Sequence, residues 1–160
     1  MPDRPTPPDA HREIEALIQR YAQLIDDGDF AGLGHLFSHG RIVLEDGTVL
    51  AEGSHAVTRL YETTTRLHDD GTPRTLHLTT NVVVEVDPDG HHARARSYFT
   101  VLQQTATVPL QPIAAGRYRD RFELPTEEEG ARQWRFRERM LLPLFFGDVH
   151  DHLLIDPSQE

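Results

Sequence analysis

The sequence contains no cysteine. Disulfides, thiolate nucleophiles and cysteine-ligated zinc are therefore excluded. Basic charge is also scarce. Sixteen arginine and lysine side chains stand against 26 carboxylates, a formal net charge of −10 with histidine neutral. Such a chain is repelled by phosphate backbones and by anionic lipid, so neither nucleic acid nor a membrane is an expected partner. No apolar run approaches the ~20 residues of a membrane-spanning helix. The longest, Met140 to Phe146, is interrupted by Pro143. A cysteine-free chain with no signal peptide is expected in a reducing cytoplasm. Histidine is plentiful, at 10 residues, but no HExxH motif is present. His91-His92 sits in a turn, and His150 and His152 lie near an acidic end, all expected at the surface. No metal site is expected.

What is present is periodic. At 160 residues the chain has the size of one domain, and no repeat or linker divides it. Met1 to Pro8 holds four prolines and is expected to be a flexible arm; 9–155 form the domain, and 156–160 a polar tail. Asp9 offers an N-cap, and Ile14, Leu17, Ile18, Tyr21, Leu24 and Ile25 follow at helical spacing. Asp26 continues that apolar face, and Gly28 stops the helix. Asp29 can cap a second helix through Leu36 and Phe37. Arg41 to Glu45 and Thr48 to Ala51 flank Asp46-Gly47 as a hairpin. A third helix, capped by Ser54, is expected to run to about Asp70-Gly71 with Leu67 on its inner face.

From Thr75 the period changes to two. Four long strands are predicted: Thr75 to Val86, Ala93 to Gln104, Ile113 to Leu124 and Gln133 to Phe145. In the first, Leu76, Leu78, Val82, Val84 and Val86 alternate with Thr75, His77, Thr79, Asn81 and Glu85, which places His77 and Asn81 on one face. In the last two, Tyr118, Asp120 and Phe122 oppose Arg117, Arg119 and Arg121. Likewise Trp134, Phe136, Glu138, Met140 and Leu142 oppose Arg135, Arg137 and Arg139. This predicts an aromatic inner face and an arginine-rich outer face. Helices followed by long antiparallel strands give an α+β fold. If the sheet curls, helix one closes its mouth and brings Asp26 to His77.

These residues carry a resemblance. The run Tyr21-Ala22-Gln23-Leu24-Ile25-Asp26-Asp27-Gly28-Asp29-Phe30 resembles the first two helices of the nuclear transport factor 2-like superfamily. His77-x-x-x-Asn81, Gly116-x-Tyr118-x-Asp120-x-Phe122, Trp134-x-Phe136-x-x-Arg139 and the ending Gly147-Asp148 with His152-Leu153 follow in the order of its SnoaL-like domain. The resemblance spans about Arg12 to Leu154. It implies a cone: a curved, mostly antiparallel sheet wrapped by three N-terminal helices around an apolar pocket. The superfamily includes scytalone dehydratase, a hexachlorocyclohexane dehydrochlorinase, ketosteroid isomerase, limonene epoxide hydrolase, polyketide cyclases and the small subunits of ring-hydroxylating dioxygenases.

The dehydratase and dehydrochlorinase branch uses an Asp–His pair, at positions that correspond to Asp26 and His77. The resemblance therefore implies a cofactor-independent lyase or isomerase acting on a small apolar, ring-containing molecule, with Asp26 and His77 as the catalytic pair. Tyr21, Asn81, Tyr118, Trp134 and Phe136 would line the substrate site. A homodimer or homotrimer is expected. The alternative is a non-catalytic ligand-binding protein or an accessory subunit of an oxygenase. Plainer readings stand beside each residue. Asp26 can cap a backbone amide; Asn81 can bond its own strand; Tyr118, Trp134 and Phe136 can be core or pocket wall; Asp120 and Glu138 can pair with arginines at the rim. The sequence also departs from scytalone dehydratase. The second active-site histidine of that enzyme has no counterpart in Tyr98 to Gln104, and the tyrosine before its aspartate is Ile25 here. A simpler elimination or isomerisation is expected.

Overall fold

The computed structural model describes residues 7–157. Helix α1 (Pro7–Asp26) and helix α2 (Phe30–Leu36) come first, followed by the short strands β1 (Arg41–Leu44) and β2 (Val49–Glu52). Helix α3 (Gly53–Thr64) precedes four long strands, β3 (Thr75–Val86), β4 (His92–Gln103), β5 (Gln111–Glu123) and β6 (Arg135–Phe146). Together they make three helices and one mixed six-stranded sheet in the order β2-β1-β6-β5-β4-β3. Every neighbouring pair is antiparallel except β1 and β6, which run parallel. A four-residue strand carries no sequence signal for the direction of its partner. No helix among the described residues is long and apolar enough to cross a membrane.

The helical layer is built as its periodicity requires. Ala10, Ile14, Ile18, Tyr21 and Ile25 are buried along one side of α1, which packs mainly on β3. The helix begins at Pro7, so Asp9 lies within the first turn instead of capping it. Of the expected arm, residues 1–6 lie outside the described residues, while Pro7 and Pro8 belong to α1. Proline suits that place, because a first-turn N–H has no intrahelical acceptor. Gly28 ends the helix at φ +72°, and a Cβ there would stand 2.3 Å from the carbonyl oxygen of Gly71. Asp29 then caps α2, its carboxylate accepting the Gly32 N–H at 2.8 Å. Helix α3 is shorter than expected. It starts at Gly53 and ends at Thr64, so Ser54 is not its cap and Leu67 lies exposed beyond it.

Two of the sheet's register shifts change which of the expected residues face inward. In β3 the pairing with β4 slips between Thr80 and Val83, and Asn81 takes φ +55°. One extra residue reverses the alternation of everything beyond it. Thr75, His77 and Thr79 therefore face the helices before the bulge, and Val82, Val84 and Val86 face them after it. Leu76 and Leu78, expected inside, lie on the outer face at 60% and 44% exposure. In β6 the extra residue is Arg137, since Glu138 pairs with Arg121 and Phe136 with Phe122. Phe136 stays in the core, stacked on Phe37 at 4.8 Å and tilted against Phe122 at 4.6 Å. Past the bulge the expected faces exchange. Arg139 is fully buried, while Glu138 and Met140 line a groove on the arginine-rich outer face.

Candidate active site

Asp26 is the last residue of α1, and its carboxylate meets the first residues of β3. Oδ1 accepts from Thr75 Oγ1 at 2.8 Å and from His77 Nδ1 at 2.6 Å; Oδ2 accepts the His77 backbone N–H at 2.8 Å. The carboxylate both ties down a strand and holds an imidazole. A carboxylate can only accept, so the proton of the neutral ring sits on Nδ1 and Nε2 keeps its lone pair. Among the described residues nothing bonds Nε2. The inward turn of β3 before its bulge is what delivers this pair. With unbroken alternation, Leu76 and Leu78 would occupy the inner face.

His77 lies on the wall of a cavity of about 400 Å³. The cavity opens between the helices and the sheet, where Ile25, Leu60, Phe99, Val101, Leu141 and Phe146 are among the apolar residues that line it. No aspartate, glutamate, lysine or arginine lines it. Its polar groups are three tyrosines, two threonines and two histidines. Tyr21 and Tyr61 share a 2.5 Å hydrogen bond between their hydroxyls. The Tyr118 ring packs edge-on against Tyr21 at 5.7 Å and stacks on Phe99 at 4.6 Å.

Behind the tyrosines sits a buried ion pair. Arg139 donates to Asp120 through Nε and Nη2, both at 2.8 Å, and neither side chain has any exposure. The guanidinium lies 3.7 Å from the centre of the Tyr118 ring and 4.2 Å from that of Tyr21. Its Nη1 has no acceptor, and the π faces of the rings take that place. Burial raises all three phenols above their ordinary range, with Arg139 pulling back against it, so each stays protonated at neutral pH. Burial opposes the Arg139 charge as well, but the adjacent Asp120 outweighs it and holds the guanidinium charged. Asp120 and Arg139 thus meet in the interior, not at the rim.

One pocket residue was not expected. His152, from the turn that follows β6, is 8% exposed and lines the cavity with its ring centre 6.3 Å from that of His77. Its Nδ1 is sealed in without a hydrogen-bond partner. Burial, with His77 close by, lowers its pKa to about 4. Its expected place at the surface is therefore corrected: His150 is exposed, and His152 points inward. The clue in the sequence was only the terminal His152-Leu153 pair.

The other expected site residues divide. Tyr21 and Tyr118 line the cavity with His77. Asn81 does not, because the bulge it forms turns it to the outer face, beside Arg96, Tyr98 and Arg117. Trp134 and Phe136 are buried in the core away from the cavity lining. Among the described residues no group of three histidine, aspartate or glutamate side chains is placed to hold a metal.

The family model of the SnoaL-like domain matches residues 9–140. The chain belongs to the SnoaL-like family. No protein of curated function matches it by sequence. Solved structures share the fold. A nuclear transport factor 2-like protein with a cystatin-like fold from Novosphingobium aromaticivorans is 21% identical, with 82% of this chain and 79% of that one covered at a TM-score of 0.64. A candidate scytalone dehydratase from the same organism is 22% identical over 88% and 87%, also at 0.64. The beta subunit of a candidate aromatic-ring-hydroxylating dioxygenase is 16% identical over 91% and 97%, at 0.63. The likeness to these structures is one of fold, and a fold does not fix a function.

Proposed function

We propose that this SnoaL-like protein is a cofactor-independent lyase or isomerase acting on a small apolar, ring-containing molecule. The observation that carries the reading is the 2.6 Å contact between Asp26 and His77 at the wall of an apolar cavity. The contact leaves a basic nitrogen facing that space. The sequence has no lysine and no cysteine, so Schiff-base and thiolate routes are closed to its side chains. Proton transfer is the chemistry that the Asp–His pair itself offers. His77 Nε2 takes a proton from the carbon beside a ring carbonyl, and Asp26 stabilises the imidazolium that forms. The C–H electrons move into an enolate, whose oxygen meets a neutral phenol such as Tyr118. In an elimination, the enolate collapses and expels a β-hydroxyl, which leaves as water with the proton from His77. In an isomerisation, the same proton returns at another carbon. The shared fold of the candidate scytalone dehydratase is consistent with either outcome.

The test follows neutral bicyclic ketones, with and without a β-hydroxyl, by proton NMR in D2O. Wild-type protein is expected to exchange the α-hydrogen for deuterium, and to release water where the hydroxyl is present. His77→Gln should lower both rates by at least about 100-fold, the contribution of a positioned base. Asp26→Asn should lower them less, because the imidazole remains but loses its fixed tautomer. Rates in His77→Gln equal to wild type would leave the pocket a binding site only.

A further inference from the structure

The dyad accounts for one histidine of the cavity and leaves the other unexplained. His152 has no ionised partner and no structural hydrogen bond for its ring among the described residues. Its backbone, by contrast, is fully used: the N–H donates to Val149 and the carbonyl accepts from Arg66. The turn is anchored without the side chain. A neutral imidazole carries one N–H. A buried N–H without an acceptor costs about 1–3 kcal/mol, and a bare ring lone pair in the same place is the cheaper arrangement. The sealed nitrogen is Nδ1. The proton therefore belongs on Nε2, which is left as an unused donor at the cavity.

The charge inventory narrows what that donor meets. The cavity lining contains no ionic side chain. The cation beneath the tyrosine rings, Arg139, is already held by Asp120 through two hydrogen bonds. The ring next to His152 is that of His77, whose carboxylate partner would repel an anion. An anionic ligand would find no countercharge, whereas a neutral oxygen would find a donor.

We propose that His152 positions the substrate: its Nε2–H donates to the oxygen of an uncharged ring ketone or ring alcohol and presents the neighbouring carbon to His77. The two ring centres stand 6.3 Å apart, edge to face, so both imidazoles border the same stretch of cavity and a ring ketone lying across them can meet each. The inference rests on the dyad reading only for which carbon is presented; the recognition of a neutral oxygen stands without it.

Binding, not turnover, is the decisive measurement. The probes are α-tetralone, the hydrocarbon tetralin and the tetralin carboxylate, titrated by calorimetry into wild type, His152→Phe and His152→Asn. One lost hydrogen bond of ordinary strength predicts about a five- to tenfold weaker α-tetralone affinity in His152→Phe. Tetralin should bind that variant as it binds wild type, which also shows that the cavity is intact. His152→Asn keeps an N–H and should recover most of the ketone affinity. The carboxylate should bind wild type at least about tenfold more weakly than the ketone. Equal losses of ketone and hydrocarbon, no loss of either, or a carboxylate that binds best would each overturn the proposal, as would a wild-type protein that takes up no ketone. The two readings fail separately. His77→Gln should keep its α-tetralone affinity while losing deuterium exchange. Exchange that survives in that variant, with ketone affinity still lost in His152→Phe, removes the dyad and leaves the anchor.

Discussion

A histidine that must stay neutral inside a fold makes stability depend on pH. His152 is such a group, with its pKa lowered from 6.5 to about 4 by burial, with the neighbouring His77 and His68 adding to the shift and Asp26 opposing it. In the unfolded chain the ring protonates below about 6.5, whereas in the native state it stays neutral until about 4. The unfolded state therefore binds the extra proton, and stability falls as pH drops from about 6.5 to about 4. That difference corresponds to a loss on the order of 3 kcal/mol at the acid end. Urea unfolding at pH 7 and pH 4.5 measures it. The wild-type midpoint should fall further than that of His152→Phe, in which the titrating ring is gone. Parallel losses in the two proteins would show that His152 is free to protonate in place. The contrast with His77 explains what could be read at this scale. The pairing of Asp26 with His77 was expected from a curled sheet under helix one and from the family resemblance, both of which lean on strongly patterned elements. His152 sits in an irregular turn, where no period reports which way a side chain points.

Elements are where the sequence reading was both strongest and most misled. The limits of β3 were legible to the residue, from its β-branched content and the turn that follows. Its faces were not, because a bulge leaves hydrophobic alternation nearly intact on paper while inverting it in space. The apolar set Leu76, Leu78, Val82, Val84 and Val86 reads as one face, yet the first two point out and the last three point in. The same inversion at Arg137 sent Arg139 into the core. In β3 the hinge of the inversion is Asn81, at φ +55°. Asparagine tolerates the left-handed region, glycine more so, and a β-branched residue poorly. Asn81→Val should cost about 1–3 kcal/mol, the usual cost of forcing such backbone. Asn81→Gly should stay close to wild type. Urea unfolding of both variants decides it; equal stability of the two would mean that pairing with β4 alone holds the bulge. Because the bulge sets the parity of residues 75–79, Asn81→Val should also weaken the contact of His77 with Asp26.

At the scale of the molecule, the fold divides its apolar interior into a filled part and an unfilled part. Phe37, Phe122, Phe136 and Trp134 pack the closed end of the sheet, and the cavity of about 400 Å³ occupies the other. The α+β order of elements made a curved sheet with a helical cover legible from the sequence. How much of the interior stays open was not, since volume depends on side-chain arrangement and no spacing rule gives it. An interior with unfilled apolar space forgoes packing energy that a ligand can restore. Whatever binds the native state and not the unfolded chain stabilises it by mass action. At 100 times the dissociation constant that gain is about 2.7 kcal/mol. In a domain of this size, each kcal/mol moves the thermal midpoint by about 2–4 °C. Saturating α-tetralone should therefore raise the midpoint by roughly 5–10 °C, with a logarithmic dependence on concentration. The outer-face groove among Arg94, Arg96, Arg119 and Arg121 supplies the control, because inorganic sulfate would act there and not in a cavity without charge. A ketone-induced shift that persists undiminished in 100 mM sulfate assigns the stabilisation to the interior. A midpoint unmoved by the ketone would mean that the cavity collapses in solution, and the reading of this end of the molecule as a binding site would fall with it.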